Sequence, residues 1–164
     1  MTLLVIDPKA IAATLTALRE VGGLAVESAA FWLGDATTMR VRAIIVPSGP
    51  GVRFDPLSIR IAERWMMALD RYCVEHDVVV LGAVHTHPET AFFSAIDADG
   101  FFHAPDCVSV VLPAYGATHV DEASSRWAIY VGLPFGAWRD ATWMDTVRVE
   151  DDAPFELLHL TVQP

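Results

Sequence analysis

The apolar residues near the N-terminus recur with the period of an α-helix. Asp7 can cap the free amides of a first turn, and Pro8 fits the first helical position. Gly22-Gly23 is typical of a helix end. The apolar positions between these signals are Ala10, Ile11, Leu15 and Leu18. The pattern predicts a first helix from about Pro8 to Glu20.

Two segments rich in β-branched and aromatic residues follow this helix. Val26–Leu33 and Thr37–Val46 predict strands, and Gly34-Asp35 between them predicts a hairpin turn. The stretch Pro47–Gly51 contains prolines and glycines that do not suit a strand interior, so we expect a loop there.

A helical period returns in the middle of the chain. Asp55-Pro56 predicts the start of a long helix, because the same pair of residue types suits a helix N-terminus. The period favours core packing over a cofactor box for its apolar residues, which are Ile59, Ile61, Ala62, Trp65, Met66, Leu69, Tyr72 and Cys73. Asp77–His85 then predicts a buried strand.

The second half of the chain predicts short elements. A short helix is expected from Ser94 to about His103, and Pro113–Arg126 is expected to be a surface loop. Strands are expected near Val108–Leu112, Trp127–Gly132, Thr146–Val149 and Phe155–Val162. This order of elements predicts an α/β mixed fold, with helices packed against a mixed sheet in a single domain covering residues 1–164.

Composition narrows the class of protein. The chain is 53% hydrophobic with a mean hydropathy of +0.37, yet its longest apolar runs, such as Val78–Val84, are far too short to span a bilayer. The first seven residues lack the basic region of a secretory signal, so we expect a cytoplasmic protein. Cys73 and Cys107 are expected to be buried thiols.

The charge balance argues against one class of partner. Twenty-one acidic and eleven basic residues give a net charge of −10, which repels phosphate backbones, so we expect no nucleic-acid partner. The same charge could favour a basic partner or could serve solubility alone.

Two histidines stand at the end of the predicted strand Asp77–His85. His85 and His87, two residues apart, point to the same side while Thr86 faces away, and Pro88 forces the chain out of the strand. A catalytic zinc usually takes three protein ligands and a water, and Asp97 in the first turn of the next helix can supply the third. A His-x-His pair alone is equally compatible with two unrelated histidines.

These residues resemble the metal-site pattern of the JAMM or MPN-plus (JAB) metalloproteases. That family carries a glutamate on an early strand, then His-x-His-Pro, then Ser-x-x-Asp. Glu27 precedes an apolar stretch ending at Gly34, and the other blocks are His85-Thr86-His87-Pro88 and Ser94-Ala95-Ile96-Asp97. The resemblance implies a curved, largely antiparallel sheet with packed helices, the JAB/MPN fold, which is cytidine-deaminase-like.

The resemblance also implies a role for each residue. His85, His87 and Asp97 would bind one zinc ion, Glu27 would act as general base on the zinc-bound water, and Ser94 would donate a hydrogen bond to the oxyanion. Zinc lowers the pKa of its water to about 7, so a nearby carboxylate can take the proton. Structural interpretations remain open: Glu27 as a solvent-facing strand residue, Ser94 as a helix N-cap and Asp97 as a first-turn acid.

The segment before the serine departs from the family pattern. Six residues, Pro88–Phe93, stand where the family has seven, and Phe93 replaces a common Pro. Because the Ser94-x-x-Asp97 spacing is intact, we place the deletion in the loop and keep Asp97 as the ligand, with Asp99 as its substitute.

Other chemistries fit less well. The chain has no His-Glu-x-x-His helix, no second Cys at the deaminase spacing and no Gly-x-Ser-x-Gly turn. The remaining histidines are scattered, and we expect no function for His76, His103, His119 and His159.

JAMM enzymes cleave the bond after the C-terminal tail of ubiquitin or ubiquitin-like proteins, so the resemblance implies this substrate class. Such cleavage would either remove conjugates or process precursors, as in family members that accompany bacterial anti-phage conjugation systems. We expect an extended tail beside a strand edge, with the loops Pro47–Asp55 and Pro88–Phe93 as walls. Two alternatives stay open: a peptidase that trims a sulfur-carrier protein, and an inactive MPN-minus scaffold that only binds partners.

Overall fold

The computed structural model describes residues 3–100, 104–151 and 154–162, with the backbone alone at residues 99 and 100. The strands are β1 (Leu4–Ile6), β2 (Ala29–Asp35), β3 (Arg40–Ser48), β4 (Val52–Asp55), β5 (Ser58–Ile61), β6 (Val79–Thr86), β7 (Val108–Leu112), β8 (Ala128–Gly132), β9 (Trp138–Ala141), β10 (Val147–Val149) and β11 (Glu156–Thr161). The helices are α1 (Pro8–Gly22), α2 (Glu63–His76), α3 (Ala95–Gly100), α4 (Ala123–Arg126) and α5 (Trp143–Thr146).

One large mixed sheet organises the fold. Its strand order is β10-β1-β3-β2-β6-β7-β8-β9, and β11 pairs with the second half of β3. Antiparallel pairing joins β3, β2 and β6, and again β7, β8 and β9, whereas β6 and β7 run parallel. The pairs β1–β10, β1–β3 and β11–β3 are also parallel. The predicted α/β mixed fold, with helices packed against a mixed sheet, is therefore confirmed.

Helices cover both faces of the sheet, which explains why its central strands are apolar throughout. Neighbouring residues of β2 point to opposite faces. Trp32 packs on the side of α1, where its indole nitrogen donates to Thr14 Oγ1 at 2.9 Å. Phe31 packs on the side of α2 and stacks on Trp65 with ring centroids 5.7 Å apart. Each of these fully buried aromatic side chains contributes about 1.5–3 kcal/mol by its burial.

The first helix and its N-cap are confirmed. The Asp7 side chain accepts a hydrogen bond from Lys9 N at 2.7 Å, and the helix continues two residues beyond the predicted end, to Gly22. The predicted hairpin turn lies further along than expected. Gly34 and Asp35 belong to β2, and the Asp35 side chain accepts from the backbone of the turn residues Thr37 and Thr38.

The predicted loop Pro47–Gly51 is wrong in its first two residues, since Pro47 and Ser48 end strand β3. Proline fits here because the pairing of β3 with β2 has already ended at Ile45. Leu160 of β11 pairs with Pro47 on the other side.

The long helix does not begin at Asp55-Pro56. These residues belong to a hairpin, in which β4 and β5 are joined by the turn residues Pro56 and Leu57. Helix α2 begins eight residues later than expected, at Glu63, and buries Trp65 and Leu69 against the sheet as predicted. Along each strand of the hairpin the side chains alternate with a period of two residues, rather than with the helical period of 3.6.

The other predicted strands are confirmed within three residues at each end. The segment Pro113–Arg126 is not a plain loop, because it contains helix α4 and two short 3₁₀ turns. Cys107 is buried as predicted, whereas Cys73 is only half-buried. Among the described residues, no helix combines the length and apolar character needed to cross a membrane.

Candidate metal centre

Strand β6 carries two histidines toward the site. His85 and His87 lie two residues apart on one face and are 1% and 5% exposed. Thr86 faces the opposite side, where its Oγ1 accepts from Ser28 N at 2.9 Å. His85 and His87 therefore lie on one side of the strand and Thr86 on the other, as predicted.

His87 lies just beyond the end of β6, yet its backbone is fixed. Its N–H donates to Leu112 O of the parallel neighbour β7 at 2.8 Å. Its carbonyl accepts from Tyr115 N at 2.8 Å. Two hydrogen bonds thus hold this histidine in place where Pro88 turns the chain away.

Asp97 reaches both histidines from the first turn of α3. Asp97 Oδ1 lies 3.3 Å from His85 Nε2, and Asp97 Oδ2 lies 3.4 Å from His87 Nε2. Ser94 holds the carboxylate in place, because its backbone N–H donates to Asp97 Oδ2 at 2.7 Å. In return the Ser94 hydroxyl oxygen accepts from Asp97 N at 3.1 Å. This reciprocal capping is the structural role that Ser-x-x-Asp also predicts.

The three side chains form a cluster suited to a metal ion. Their ligand atoms all lie within 4.8 Å of one another. Two imidazole nitrogens and one carboxylate oxygen make a donor set that suits first-row transition metals. His85, His87 and Asp97 are therefore the residues that can hold a metal here.

The protonation states agree with metal binding. Burial lowers the pKa of His85, with Asp97 opposing, and thereby favours the neutral imidazole that a metal requires. For Asp97, burial raises the pKa, but hydrogen bonds with His85, His87 and Ser94 outweigh it and hold the pKa well below its usual range. The carboxylate is therefore charged at neutral pH.

Glu27 lies beside this cluster. Ala29 of β2 pairs with His85, and Thr86 N donates to Ser28 O at 3.0 Å, so the same register continued places Glu27 opposite His87. The Glu27 backbone N–H donates to Asp55 O in the β4–β5 hairpin at 2.9 Å. Glu27 is not the solvent-facing strand residue that was one interpretation, because it is only 6% exposed.

The electrostatic setting of Glu27 is unusual for a carboxyl group. Burial raises its pKa to about 7; His87 opposes this shift and Asp97 adds to it. Glu27 can therefore both accept and release a proton near neutral pH.

Aromatic contacts anchor the short segment Pro88–Phe93. Phe93 stacks on Tyr130 with centroids 4.6 Å apart, and its backbone N–H donates to the Tyr130 hydroxyl at 3.2 Å. Trp138 meets the same ring edge-on at 4.9 Å. Phe92 packs edge-on against His87 at 4.6 Å. With the loop one residue shorter than the family pattern, these contacts still deliver Ser94 and Asp97 to the histidines.

A cavity of about 470 Å³ opens over the cluster. Four of the five predicted site residues line it, and the fifth, His85, is buried next to them. The lining residues are Glu27, Leu57, Ser58, Ile59, His87, Pro88, Glu89, Thr90, Phe92, Ser94, Ile96 and Asp97.

The hairpin wall of this cavity was missed in the sequence. Leu57, Ser58 and Ile59 were assigned to a helix, although the alternation of Val52 with Phe54 and of Ile59 with Ile61 signals strands there. Of the other candidates, the side chain of Asp99 and all of His103 lie outside the described residues.

Comparison with known proteins supports the fold alone. No protein-family model and no curated protein sequence matches this chain. The solution structure of protein DSY2949 from Desulfitobacterium hafniense is similar, with a TM-score of 0.58 and 15% identity over 90% of this chain and 93% of that chain. The solution structure of a protein from Salinibacter ruber (strain DSM 13855) is also similar. Its TM-score is 0.57, with 21% identity over 92% of this chain and 95% of that chain.

Proposed function

We propose that this protein is a zinc-dependent peptidase of the JAMM type that hydrolyses the bond after the C-terminal tail of a ubiquitin-like protein. The observation that carries the proposal is the convergence of His85, His87 and Asp97 in one cavity with the buried carboxyl group of Glu27. A metal-binding set and a proton acceptor at one site are the two components that metal-assisted hydrolysis requires.

The donor set suits zinc, which proteins commonly bind through histidine nitrogens and carboxylate oxygens. The ligand atoms of His85, His87 and Asp97 lie within 4.8 Å of one another. Three protein ligands leave the fourth position open, as in catalytic rather than structural zinc sites.

A zinc ion held by His85, His87 and Asp97 would supply a water with a pKa of about 7 and would polarise the substrate carbonyl. Glu27, whose buried carboxyl group lies beside the cluster, accepts the proton of the attacking water. Glu27 then returns the proton to the leaving amine.

The hydroxyl group of Ser94 can donate one hydrogen bond to a substrate. Its hydroxyl oxygen already accepts from Asp97 N, which orients the side chain toward the metal cluster. The hydroxyl proton remains available to donate. Donation to the oxyanion that forms on the attacked carbonyl stabilises the transition state more than the ground state.

The shape of the cavity supports an extended substrate. One wall is the tip of the β4–β5 hairpin, Leu57–Ile59, rather than the predicted loop Pro47–Asp55; the other includes Pro88 to Thr90 and Phe92. The hairpin is a separate two-stranded sheet, so the outer edge of β5 can pair with an added strand.

Metal analysis and cleavage assays test the proposal together. The purified protein should contain one zinc per chain, and it should cleave a reporter fused behind the tail of at least one bacterial ubiquitin-like protein. Glu27→Gln should retain zinc and lose cleavage, whereas the exposed control Glu75→Gln should behave as wild type. Absence of zinc, or equal cleavage by Glu27→Gln, would refute the mechanism.

A second arm tests the substrate class. Free peptides with the same tail but without the folded ubiquitin-like body should be cleaved much more slowly than the fusion. Equal rates would remove the ubiquitin-like protein from the proposal and leave a general peptidase.

A further inference from the structure

Three of the eleven basic residues of this acidic chain lie on or beside the hairpin that forms the cavity wall. They are Arg53 on β4, Arg60 on β5 and Arg64 at the start of α2, here called the arginine row. The chain as a whole carries a net charge of −10. The same stretch, residues 52–64, also contains the acidic Asp55 and Glu63, so its net charge is +1 (three arginines minus two acidic residues) in a chain that is acidic overall.

The arginine row is poorly neutralised within the protein. Arg53 contacts Asp55, with its Nε 3.0 Å from Asp55 Oδ2. Arg60 and Arg64 form no ion pair with any residue that the structure describes. Of the other arginines, Arg40, Arg126 and Arg148 have acidic partners. Arg19, Arg42 and Arg71, like Arg60 and Arg64, form no ion pair with a described residue.

The pairing of the hairpin sets two of these charges against each other. Arg53 and Arg60 are directly opposite in the antiparallel ladder, so both side chains stand on the same face. Like charges at such positions destabilise a hairpin. The ion pair of Arg53 with Asp55 offsets part of this repulsion, and an anionic partner bound from outside would relieve the rest.

The arginine row also has a direction. Alternation along β5 puts Arg60 on the same face as Ser58, about 7 Å away, and Ser58 lines the cavity. Arg64 lies at the open end of the hairpin, where a Cβ atom on Gly51 would come within 3.1 Å of its Nε. The three arginines thus lie along the hairpin beyond the cavity, whose own lining contains the acidic residues Glu27, Glu89 and Asp97.

We propose that the arginine row binds acidic side chains of the substrate segment that runs from the cavity along the hairpin. Tails with Asp or Glu in that segment are then preferred over neutral tails, and basic tails are rejected. Arginine suits this role because its planar guanidinium group pairs with a carboxylate through two hydrogen bonds. This inference rests on the proposed function, because it assumes that the substrate enters as an extended tail.

Peptide binding tests the inference without requiring cleavage. The probes are three fluorescein-labelled ten-residue peptides that end in Gly-Gly and differ only in three upstream positions, occupied by Asp, Ser or Lys. Fluorescence anisotropy is measured with zinc-loaded Glu27→Gln, which should bind without turnover. We expect the Asp peptide to bind about tenfold more tightly than the Ser peptide at low salt.

Charge reversal then identifies the residues responsible. Arg60→Glu in the same background should lower the affinity for the Asp peptide to that for the Ser peptide, and should strengthen binding of the Lys peptide. The matched control is Arg42→Glu, because Arg42 is exposed on β3 near Gly34 and Asp35, at the end of the strand away from the site. It changes the net charge equally and should leave all three affinities unchanged.

Several outcomes would overturn the inference. Equal binding of the three peptides, or an equal loss in Arg42→Glu, would exclude recognition by the arginine row. A change of molar mass in solution caused by Arg60→Glu would instead assign the row to contact between copies of this chain. Stronger binding of the Lys peptide by Arg60→Glu would distinguish the loss of the arginine from misfolding, because a misfolded variant would bind no peptide more tightly. If acidic peptides bind through Arg60 but no fusion is cleaved, the proposed function fails and the inference stands.

Discussion

Replacing Glu27 by Gln in the metal-free protein should change how stability depends on pH. Burial raises the pKa of Glu27 from an ordinary 4.5 to about 7 in the folded state. The folded protein therefore holds a proton that the unfolded chain has already released at intermediate pH. Below pH 4.5 both states are protonated, and stability is lost as the pH rises to about 7.

The size of this loss follows from the two pKa values. At about 1.4 kcal/mol per pH unit, the gap between 4.5 and about 7 corresponds to a decrease of about 3 kcal/mol in the free energy of unfolding. Glutamine is neutral throughout, so Glu27→Gln should not show this decrease. His85, His87 and Asp97 are present in both proteins, so the difference between the two pH profiles reports the titration of Glu27 together with its coupling to His87 and Asp97.

Urea unfolding in EDTA, followed by tryptophan fluorescence from pH 4.5 to 8, measures the difference. Wild type should lose about 3 kcal/mol more than Glu27→Gln over this range, and the exposed control Glu75→Gln should follow wild type. Profiles that stay parallel within about 0.5 kcal/mol would show that Glu27 is ionised normally in the fold, and the proposed acid–base role would lose its basis.

Three further predictions concern the metal, the oxyanion and the core. Zinc at one hundred times its Kd should raise the free energy of unfolding by about 2.7 kcal/mol, and His87→Ala should remove most of that gain in thermal melts; an equal gain would exclude this histidine as a ligand. Ser94→Ala should lower kcat about 10²–10³-fold with little change in KM, and a change in KM alone would contradict oxyanion stabilisation. Thr14→Val should destabilise the protein by about 1–3 kcal/mol in urea by leaving the Trp32 indole N–H without its partner, whereas Thr14→Ser should cost less.

The parts of the site that local geometry determines could be predicted from sequence. Side chains alternate along any strand, so His85 and His87 had to share a side and Thr86 had to face away, toward Ser28. Capping chemistry in the same way relates Ser94 to Asp97 within one turn.

The hairpin shows where sequence patterns became ambiguous. Ile61 and Trp65 are four residues apart, which fits a helix, and Asp55-Pro56 suits a helix start as well as a turn. Ile59 and Ile61 also fit the period of a strand, and pairing with Phe54 and Val52 decides between the two patterns. That pairing is a tertiary contact, which local spacing does not reveal.

The position of the short loop before Ser94 likewise depended on distant partners. Phe93 is held by Tyr130 and Trp138, and Trp138 belongs to strand β9, which the sequence pattern did not predict. The sequence therefore indicated which residues form the cluster, but it could not show how a loop of that length delivers them.

The hydrogen bond from Glu27 N to Asp55 O links the buried carboxyl residue of the candidate site directly to the backbone of the β4–β5 hairpin. Side chains on the outer face of the hairpin can change without disturbing this link, because it joins backbone to backbone. An insertion or deletion in the Pro56–Leu57 turn would shift both together. If the proposed function holds, such a change would alter the pH profile of cleavage along with the choice of tail, whereas point substitutions on the outer face would alter the choice of tail alone.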